Sequence, residues 1–444
     1  MTTLYPLVRH DRLDALFGFH NWEKVSLGAF LSEATQLAAM LPSRRHVINL
    51  CNDRYRFTVA LAAALLREQI SLMPPSDAPG VLAQMAGRYD EAYCLHDEAA
   101  PAIDLPCLAF PPRAKSSEAR LLSIPSFPDD QPAVLLFTSG STGQPTPHLK
   151  TWGCLVRSAL AAGTRLGIGG FAGATIIGTV PQQHSYGLES TVLLALQHGL
   201  GLHGARPFYP GDIHACIAAT PGPRILVTTP IHLRALLADA SDAPALDLIV
   251  SATAPLAPQL AAAAEQRFRA PLLEIYGCSE AGQLAVRRTT ASDEWRCLDG
   301  VELRQDASGT WAAGAAVPGE VPLGDIIEVR APGRFILHGR SADLVNIAGK
   351  RTSLAHLNYH LNSIPGVSDG VFVMPEESGE ATTRLMALAV APQLSRATLL
   401  AALRQRIDPA FLPRPLLLVD RLPRNVIGKL TREAILRLAA SQNR

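Results

Sequence analysis

The sequence is poor in charge and in aromatic rings. Charged residues make up 18% and aromatics 6% of its 444 positions, and 40 Lys+Arg against 39 Asp+Glu leave a formal net charge of +1. A balance this near zero supplies no basic surface for nucleic acid and no acidic tail. Long apolar runs are missing too. None approaches the ~18–20 residues of a membrane span; the longest, around Val59 to Leu66, has the length of a short buried helix. The seven cysteines (Cys51, Cys94, Cys107, Cys154, Cys216, Cys278 and Cys297) are scattered, and none forms a C-x-x-C pair. That excludes a zinc ribbon and a disulfide framework and fits a reducing compartment. The opening MTTLYPLVRHDRLD lacks an apolar h-region, so a cytoplasmic location is expected. No G-x-x-x-x-G-K-[ST] spacing occurs, which argues against a Walker P-loop NTPase.

What remains is an ordinary globular composition with 48% hydrophobic residues, in a chain long enough for two or three domains. His46 to Leu50, Phe57 to Arg67 and Ile70 to Pro75 read as strand, helix and strand, a βαβ signal for a parallel sheet. Trp22 to Leu41 carries helical spacing. The pattern repeats further on. Strands are expected at Ala133–Phe137, Ala174–Val180, Arg224–Thr228, Asp247–Ser251 and Leu272–Tyr276. Helices are expected at Trp152–Leu166, Leu188–Gln197, Ile231–Ala238 and Gln259–Phe268. Regular alternation implies an α/β fold with a doubly wound sheet, which binds ligands at the carboxyl ends of its strands. From about residue 291 to 339 short strands and turns suggest a small β subdomain. Residues 340–444 read as a compact α+β unit able to fold alone. The expected division is thus 1–339 and 340–444.

One loop stands out. FTSGSTGQPTPHLK follows the apolar run Ala133 to Leu136, and Thr138 to Gly143 hold four hydroxyls, two glycines and no apolar side chain. Glycine lets backbone approach a ligand closely, and successive N–H groups form an anion-binding concavity. Phosphate suits such a loop. On composition alone a solvated Ser/Gly turn suits it equally well.

Other segments bear on that choice. SATAPL (251–256) and YGCSE (276–280) follow two expected strand ends. Gly324-Asp325 lies in the β-rich region, GRSAD (339–343) at the expected boundary, and PRNVIGKLTR (423–432) near the end. In this order, from about residue 46 onward, these motifs resemble the adenylate-forming superfamily of acyl- and aryl-CoA synthetases, peptide-synthetase adenylation domains and luciferases. The resemblance implies an enzyme in which a carboxylate attacks the α-phosphate of ATP to give an acyl-adenylate and pyrophosphate. A thiol then displaces AMP.

It also implies roles. Thr138, Ser139, Gly140, Ser141, Thr142 and Gly143 would cradle the β- and γ-phosphates. Ser251, Ala252, Thr253, Gly277, Cys278 and Ser279 would line the nucleotide. Tyr276 would pack on adenine, or be a plain core tyrosine. Asp325 would take the ribose hydroxyls, since a carboxylate accepts two donors; a turn aspartate is the alternative. Arg340 would reach ribose or phosphate, or make an ordinary salt bridge. Glu280 would hold Mg²⁺, which prefers oxygen ligands. Lys429 would contact the attacking carboxylate and the α-phosphate. His184, in PQQHSYG, would line the acyl pocket and gate the thiol tunnel, or be a satisfied core histidine.

The chain departs from the family pattern in places. Thr146-Pro147 stands where the family loop has Lys-Gly, so Lys150 is the candidate to reach the same phosphates. Beyond the hinge, Ala348-Gly349-Lys350 and His356-Leu357-Asn358 replace motifs that usually meet the thiol acceptor, and Ala342 occupies the hinge position. The short N-terminal region and the TPHLKTW continuation look most like small aryl-acid ligases of aryl-polyene (xanthomonadin-type) pigment pathways, which load an acyl carrier protein. That resemblance implies an acid such as 4-hydroxybenzoate. An aryl- or medium-chain acyl-CoA ligase, and a degenerate nucleotide-binding member without catalysis, are the alternatives.

Overall fold

The computed structural model describes residues 3–74, 78–89, 91–101, 103–112, 123–139, 145–306, 309–340, 344–347, 350–374, 385–424 and 430–442. It is an α/β fold built on two large sheets. The first has six strands in the order Pro145–Thr151, Pro132–Ser139, Ile70–Met73, His46–Asn49, Ala92–His96 and Cys107–Ala109. All its pairings are parallel except that of Pro145–Thr151, which turns back antiparallel on Pro132–Ser139. The second has eleven strands. Leu16–His20, Gly201–His203, Thr175–Gly178, Arg224–Thr228, Leu248–Ser251 and Leu272–Cys278 run parallel, so their carboxyl ends share one edge.

Local chemistry sets the helices. Trp152–Leu166 begins where the Thr151 hydroxyl accepts from the Cys154 N–H and stops at Gly167, whose φ of 71° an L side chain rarely adopts. It lies between the two sheets. Trp152, Leu155, Val156 and Ala159 enter the core of the first, Ala162 and Leu166 that of the second. Arg54–Leu66 begins three residues before the expected start, because Asp53 caps it by accepting from the Arg56 N–H. That cap makes Arg54 a helical residue aimed between the sheets. Its guanidinium donates to the carbonyls of Gly178, Val180, His203 and Ala205 and is wholly buried.

Three expectations need correction. Trp22 to Leu41 is not one helix: Asn21 and Trp22, both with positive φ, turn a hairpin into the strand Glu23–Ser26, and the helix runs Leu27–Met40. Leu188–Gln197 opens as a wide π turn over Leu188–Leu193 before the α-helix Leu194–His198. The region 291–339 is not one β subdomain. Glu294–Cys297, Asp325–Ala331 and Arg334–Arg340 extend the eleven-stranded sheet, and only Val301–Asp306, Gly309–Gly314 and Val321–Leu323 form a sheet of their own. Period-2 patterning marks strands but not which sheet they join.

Past residue 344 a three-stranded sheet, Asp369–Val373, Met386–Val390 and Leu416–Leu418, buries both faces. Phe372, Ala387 and Leu416 meet the helices Leu354–Asn362 and Arg396–Arg404. Val371, Leu388 and Leu417 meet Ile435 and Ala439 of Arg432–Gln442. Among the described residues no helix is long and apolar enough to cross a membrane.

Candidate active site

The loop strand and the YGCSE strand are hairpins that meet. In the first, Thr138 pairs with Thr146, Leu136 with His148 and Val134 with Lys150. Thr146, His148 and Lys150 therefore share a face, and Leu149 faces away, 45% exposed. Gly140, Ser141, Thr142 and Gly143 lie outside the described residues, as does the Ser139 side chain. Thr138 Oγ1 lies 2.9 Å from His148 Nε2. Burial lowers the His148 pKa and the Lys150 charge adds to this, while Glu280 opposes both.

In the second hairpin Tyr276, Gly277 and Cys278 end the strand Leu272–Cys278, and Ser279-Glu280-Ala281 turn it into Gly282–Arg287. A Cβ on Gly277 would sit 2.3 Å from the Gly282 carbonyl oxygen, so only glycine fits there. Glu280 is thus held at a hairpin tip. Lys150 Nζ donates to its backbone carbonyl at 2.6 Å, and its Oε1 lies 3.8 Å from His148 Nε2. Lys150 is only 2% exposed. Its partner here is the backbone of the YGCSE motif. Burial pushes the Cys278 thiol up to about 12, which disfavours the thiolate form.

Tyr276 and Asp325 come together, with the tyrosine hydroxyl 2.9 Å from Asp325 Oδ2. The Tyr276 ring packs near Trp295 and Phe335, at 5.7 and 5.6 Å. Asp325 is the cross-strand partner of Arg340, whose side chain lies outside the described residues. Ser251, Ala252 and Thr253 leave the neighbouring strand end. Ser251 is fully buried, and Thr253 has φ of 80°. A β-branched residue in that region carries roughly 1–3 kcal/mol of strain. Glu274 helps hold it: its carboxylate accepts from the Leu256 N–H, Arg287 Nε and Thr289 Oγ1. Burial pushes the Glu274 carboxyl up, against the pull of Arg287.

PQQHSYG lies beside the central strand ends. Gln182 and Gln183 donate to the Cys51 carbonyl, tying the stretch to the first sheet. His184 is half-buried before the short helix Ser185–Gly187. The Tyr186 hydroxyl lies 3.0 Å from the carbonyls of Thr228 and Val250, at the ends of two central strands, and burial pushes its pKa far up. Glu189, 3% exposed, accepts from Ser158, Ser185 and the Gln283 N–H, so it couples this stretch to the Glu280 hairpin.

Lys429 lies outside the described residues. Its flanks are pinned: Arg424 and Leu430 form an antiparallel bridge, and Arg424 makes two 2.8 Å bonds to Asp369. Arg234, on the helix Pro230–Ala238 at the end of Arg224–Thr228, approaches the same carboxylate at 3.8 Å. A depression of about 300 Å³ beside Arg165 and Arg334 belongs elsewhere, at the opposite end of the strand Arg334–Arg340 from the Asp325 pairing.

The model of the family described as AMP-binding enzyme matches residues 9–321. The chain belongs to that family. Among relatives of this AMP-binding enzyme, a 4-coumarate–CoA ligase from Rhodobacter capsulatus is 31% identical over 230 residues, 52% of this chain and 57% of that protein. A 4-coumarate–CoA ligase from Halorhodospira halophila is 30% identical over 308 residues, 66% of this chain and 73% of that protein. The alignment thus spans little more than half of the first relative. Among solved structures, the o-succinylbenzoate CoA synthetase of Bacillus subtilis with its acyl-adenylate superposes with a TM-score of 0.79 at 19% identity. That match covers 97% of this chain and 98% of that one. It shows that the two chains share a fold.

Among the described residues no three His, Cys, Asp or Glu side chains cluster as a metal site. Glu280 offers one partly exposed carboxylate. That suits Mg²⁺, which takes few protein ligands and completes its shell with phosphate and water. Sequence reasoning passed over His148, Glu189 and Glu274. The contacts that place them, His148 to Thr138, Glu274 to the Leu256 N–H and Glu189 to the Gln283 N–H, span 10, 18 and 94 residues, and spacing carries no signal at that range. For His148 the alternation with Lys150 along TPHLK was the available sign.

Proposed function

We propose that this AMP-binding enzyme is an acid–thiol ligase. It joins a carboxylate to ATP as an acyl- or aryl-adenylate, releases pyrophosphate, and passes the acyl group to a thiol with release of AMP. His148 lies between Thr138 and Glu280, and Tyr276, on the strand that leads into the Glu280 hairpin, bonds Asp325; this arrangement carries the reading.

A carboxylate acylates poorly because oxide is a poor leaving group, and adenylation replaces it with AMP. In this reading Thr138 and Ser139, with Gly140, Ser141, Thr142 and Gly143, hold the β- and γ-phosphates. Asp325 and Arg340 take the ribose, Tyr276 flanks the adenine, and Ser251, Ala252, Thr253, Gly277, Cys278 and Ser279 line the nucleotide. Glu280 would hold Mg²⁺, which when bound neutralises phosphate charge. Lys429 would bring a point charge to the attacking carboxylate and the α-phosphate. Residues 340–444 act as the lid that delivers it, and His184 faces the acyl group. Lys150 braces Glu280 through its carbonyl.

The acid is an aryl carboxylate, with 4-hydroxybenzoate the first candidate, and the acceptor an acyl carrier protein in pigment biosynthesis. The TPHLKTW continuation supports this, and the names of the two 4-coumarate ligase relatives support the aryl class. Those same names favour a second reading, with free CoA as the thiol. Both place the enzyme in the cytoplasm.

The test is acid-dependent ATP–pyrophosphate exchange across hydroxybenzoates, cinnamates and fatty acids. Thioester formation with CoA and with a holo carrier protein follows for the active acid. Exchange confined to aryl acids is expected. ATP binding without exchange for any acid would leave a non-catalytic nucleotide binder.

A further inference from the structure

Two of the seven cysteines stand side by side. Cys94 is the central residue of the strand Ala92–His96, and Cys107 opens the edge strand Cys107–Ala109. The strands run parallel, and their register sets Cys94 directly against Cys107. Neighbouring strands lie about 4.8 Å apart, and opposed residues project to the same face. That spacing falls within the Cα separation of roughly 4.4–6.8 Å over which a disulfide closes. The two thiols are in hydrogen-bonding contact, and both are free. The Cys107 thiol also donates to the Leu105 carbonyl at 3.3 Å.

The pair is asymmetric. Among the described cysteines Cys107 alone is exposed. Cys94 is fully buried, and burial pushes its thiol up, with the neighbouring Cys107 adding to this. Oxidation follows exposure, so an oxidant arriving from solution meets Cys107 first. Cys94 is then the thiol already in place behind it. Cys51, also fully buried, lies near Cys94 on the inner side and has no access of its own.

We propose that Cys94 and Cys107 form an oxidation site, in which a peroxide converts the Cys107 thiol to a sulfenic acid and Cys94 closes it to an intramolecular disulfide. In the first step the Cys107 sulfur takes one oxygen from hydrogen peroxide, the O–O bond breaks and water leaves. In the second the Cys94 sulfur attacks the Cys107 sulfur and the S–O bond breaks. The hydroxyl leaves as water with the Cys94 proton. Two thiols and one hydrogen peroxide become one disulfide and two waters. Contact offsets the poor acidity of Cys94, because a thiol held against its target acts at a high effective concentration. The bond ties the three-residue edge strand to its neighbour. It is reversible by a dithiol, so it spares the exposed sulfur from irreversible oxidation to sulfinic acid. A disulfide of this kind is transient in a reducing compartment. The site stands apart from the ligase reading and does not depend on it.

The test is peptide mapping by mass spectrometry on the full chain, treated under native conditions with hydrogen peroxide and with free thiols blocked before digestion. The expected product is one linked peptide containing Cys94 and Cys107, lighter by two hydrogens than the two reduced peptides together, and returned to free thiols by dithiothreitol. Cys94→Ser should lose the link and carry at least about 10-fold more dimedone-reactive sulfenic acid at Cys107 than wild type. Cys107→Ser should leave Cys94 reduced under the same treatment. The decisive reading is made on the wild-type protein, so it stands even where a variant folds poorly. A wild-type chain with Cys107 as sulfinic acid and Cys94 still free would overturn the proposal. So would a Cys51–Cys94 link, a disulfide joining Cys107 of two chains, or two thiols that stay unreacted throughout.

Discussion

Arg54 and Lys150 are both buried cations that bond to backbone carbonyls, yet they serve different ends. Arg54 spreads a rigid planar fork over four carbonyls at the ends of Thr175–Gly178 and Gly201–His203. It joins a helix of the six-stranded sheet to the eleven-stranded one. Lys150 is a flexible point donor that meets one carbonyl at the tip of the Glu280 hairpin. The guanidinium suits a joint that must not move; the ammonium suits a brace beside a site. Burial alone therefore does not separate structural from functional cations. The number and placement of their acceptors does.

Arg54→Met should break the comparison most visibly. Four carbonyls lose a donor, and unpaired buried groups cost roughly 1–3 kcal/mol each. Urea denaturation should show a loss of at least about 4 kcal/mol, while the surviving folded protein keeps its KM values. An unchanged midpoint would mean that water replaces the guanidinium. Lys150→Met should do the reverse. ATP–pyrophosphate exchange should fall about 10–100-fold, with stability changed by no more than about 2 kcal/mol. Lost stability with full activity per folded molecule would make Lys150 a second Arg54.

Acid sharpens the contrast. Burial, then the Arg54 charge, pulls the His203 pKa down to about 4, against 6.5 in the unfolded chain. Between those values the unfolded chain binds the proton more readily. Stability should rise with pH through that window and be lost as pH falls from 6.5 toward 4, by roughly 2–3 kcal/mol. His232, also pulled to about 4 by burial, adds a similar slope. Thermal unfolding against pH should show His203→Gln removing about half of the combined slope; an unchanged slope would mean His203 stays solvated. The smallest effect is expected at Leu149→Ser, on the exposed face of the Lys150 strand. Exchange should be unchanged and stability should move by less than about 0.5 kcal/mol.

The elements that were legible from sequence are the ones buried on both sides. Arg224–Thr228 and Trp152–Leu166 fall at their expected bounds, because a strand covered by helices on both faces is a continuous apolar run. Pro145–Thr151 was hidden by its two prolines, threonine, histidine and lysine. An edge strand tolerates proline, and this one exists because Pro132–Ser139 offers it a partner. Tyr276, Asp325, Glu280 and Thr138 were readable as motifs, but the Tyr276–Asp325 bond and the Lys150 brace were not. Period-2 alternation along the hairpin sets the direction of the Lys150 side chain and so its bond to the Glu280 carbonyl, which motif spacing does not carry.

The helix Trp152–Leu166 has a further consequence. It contributes side chains to both large cores at once, so neither sheet can shed it without opening the other. In native-state hydrogen exchange its central amides should belong to the slowest-exchanging class. The two sheets should then open as a single foldon rather than one after the other.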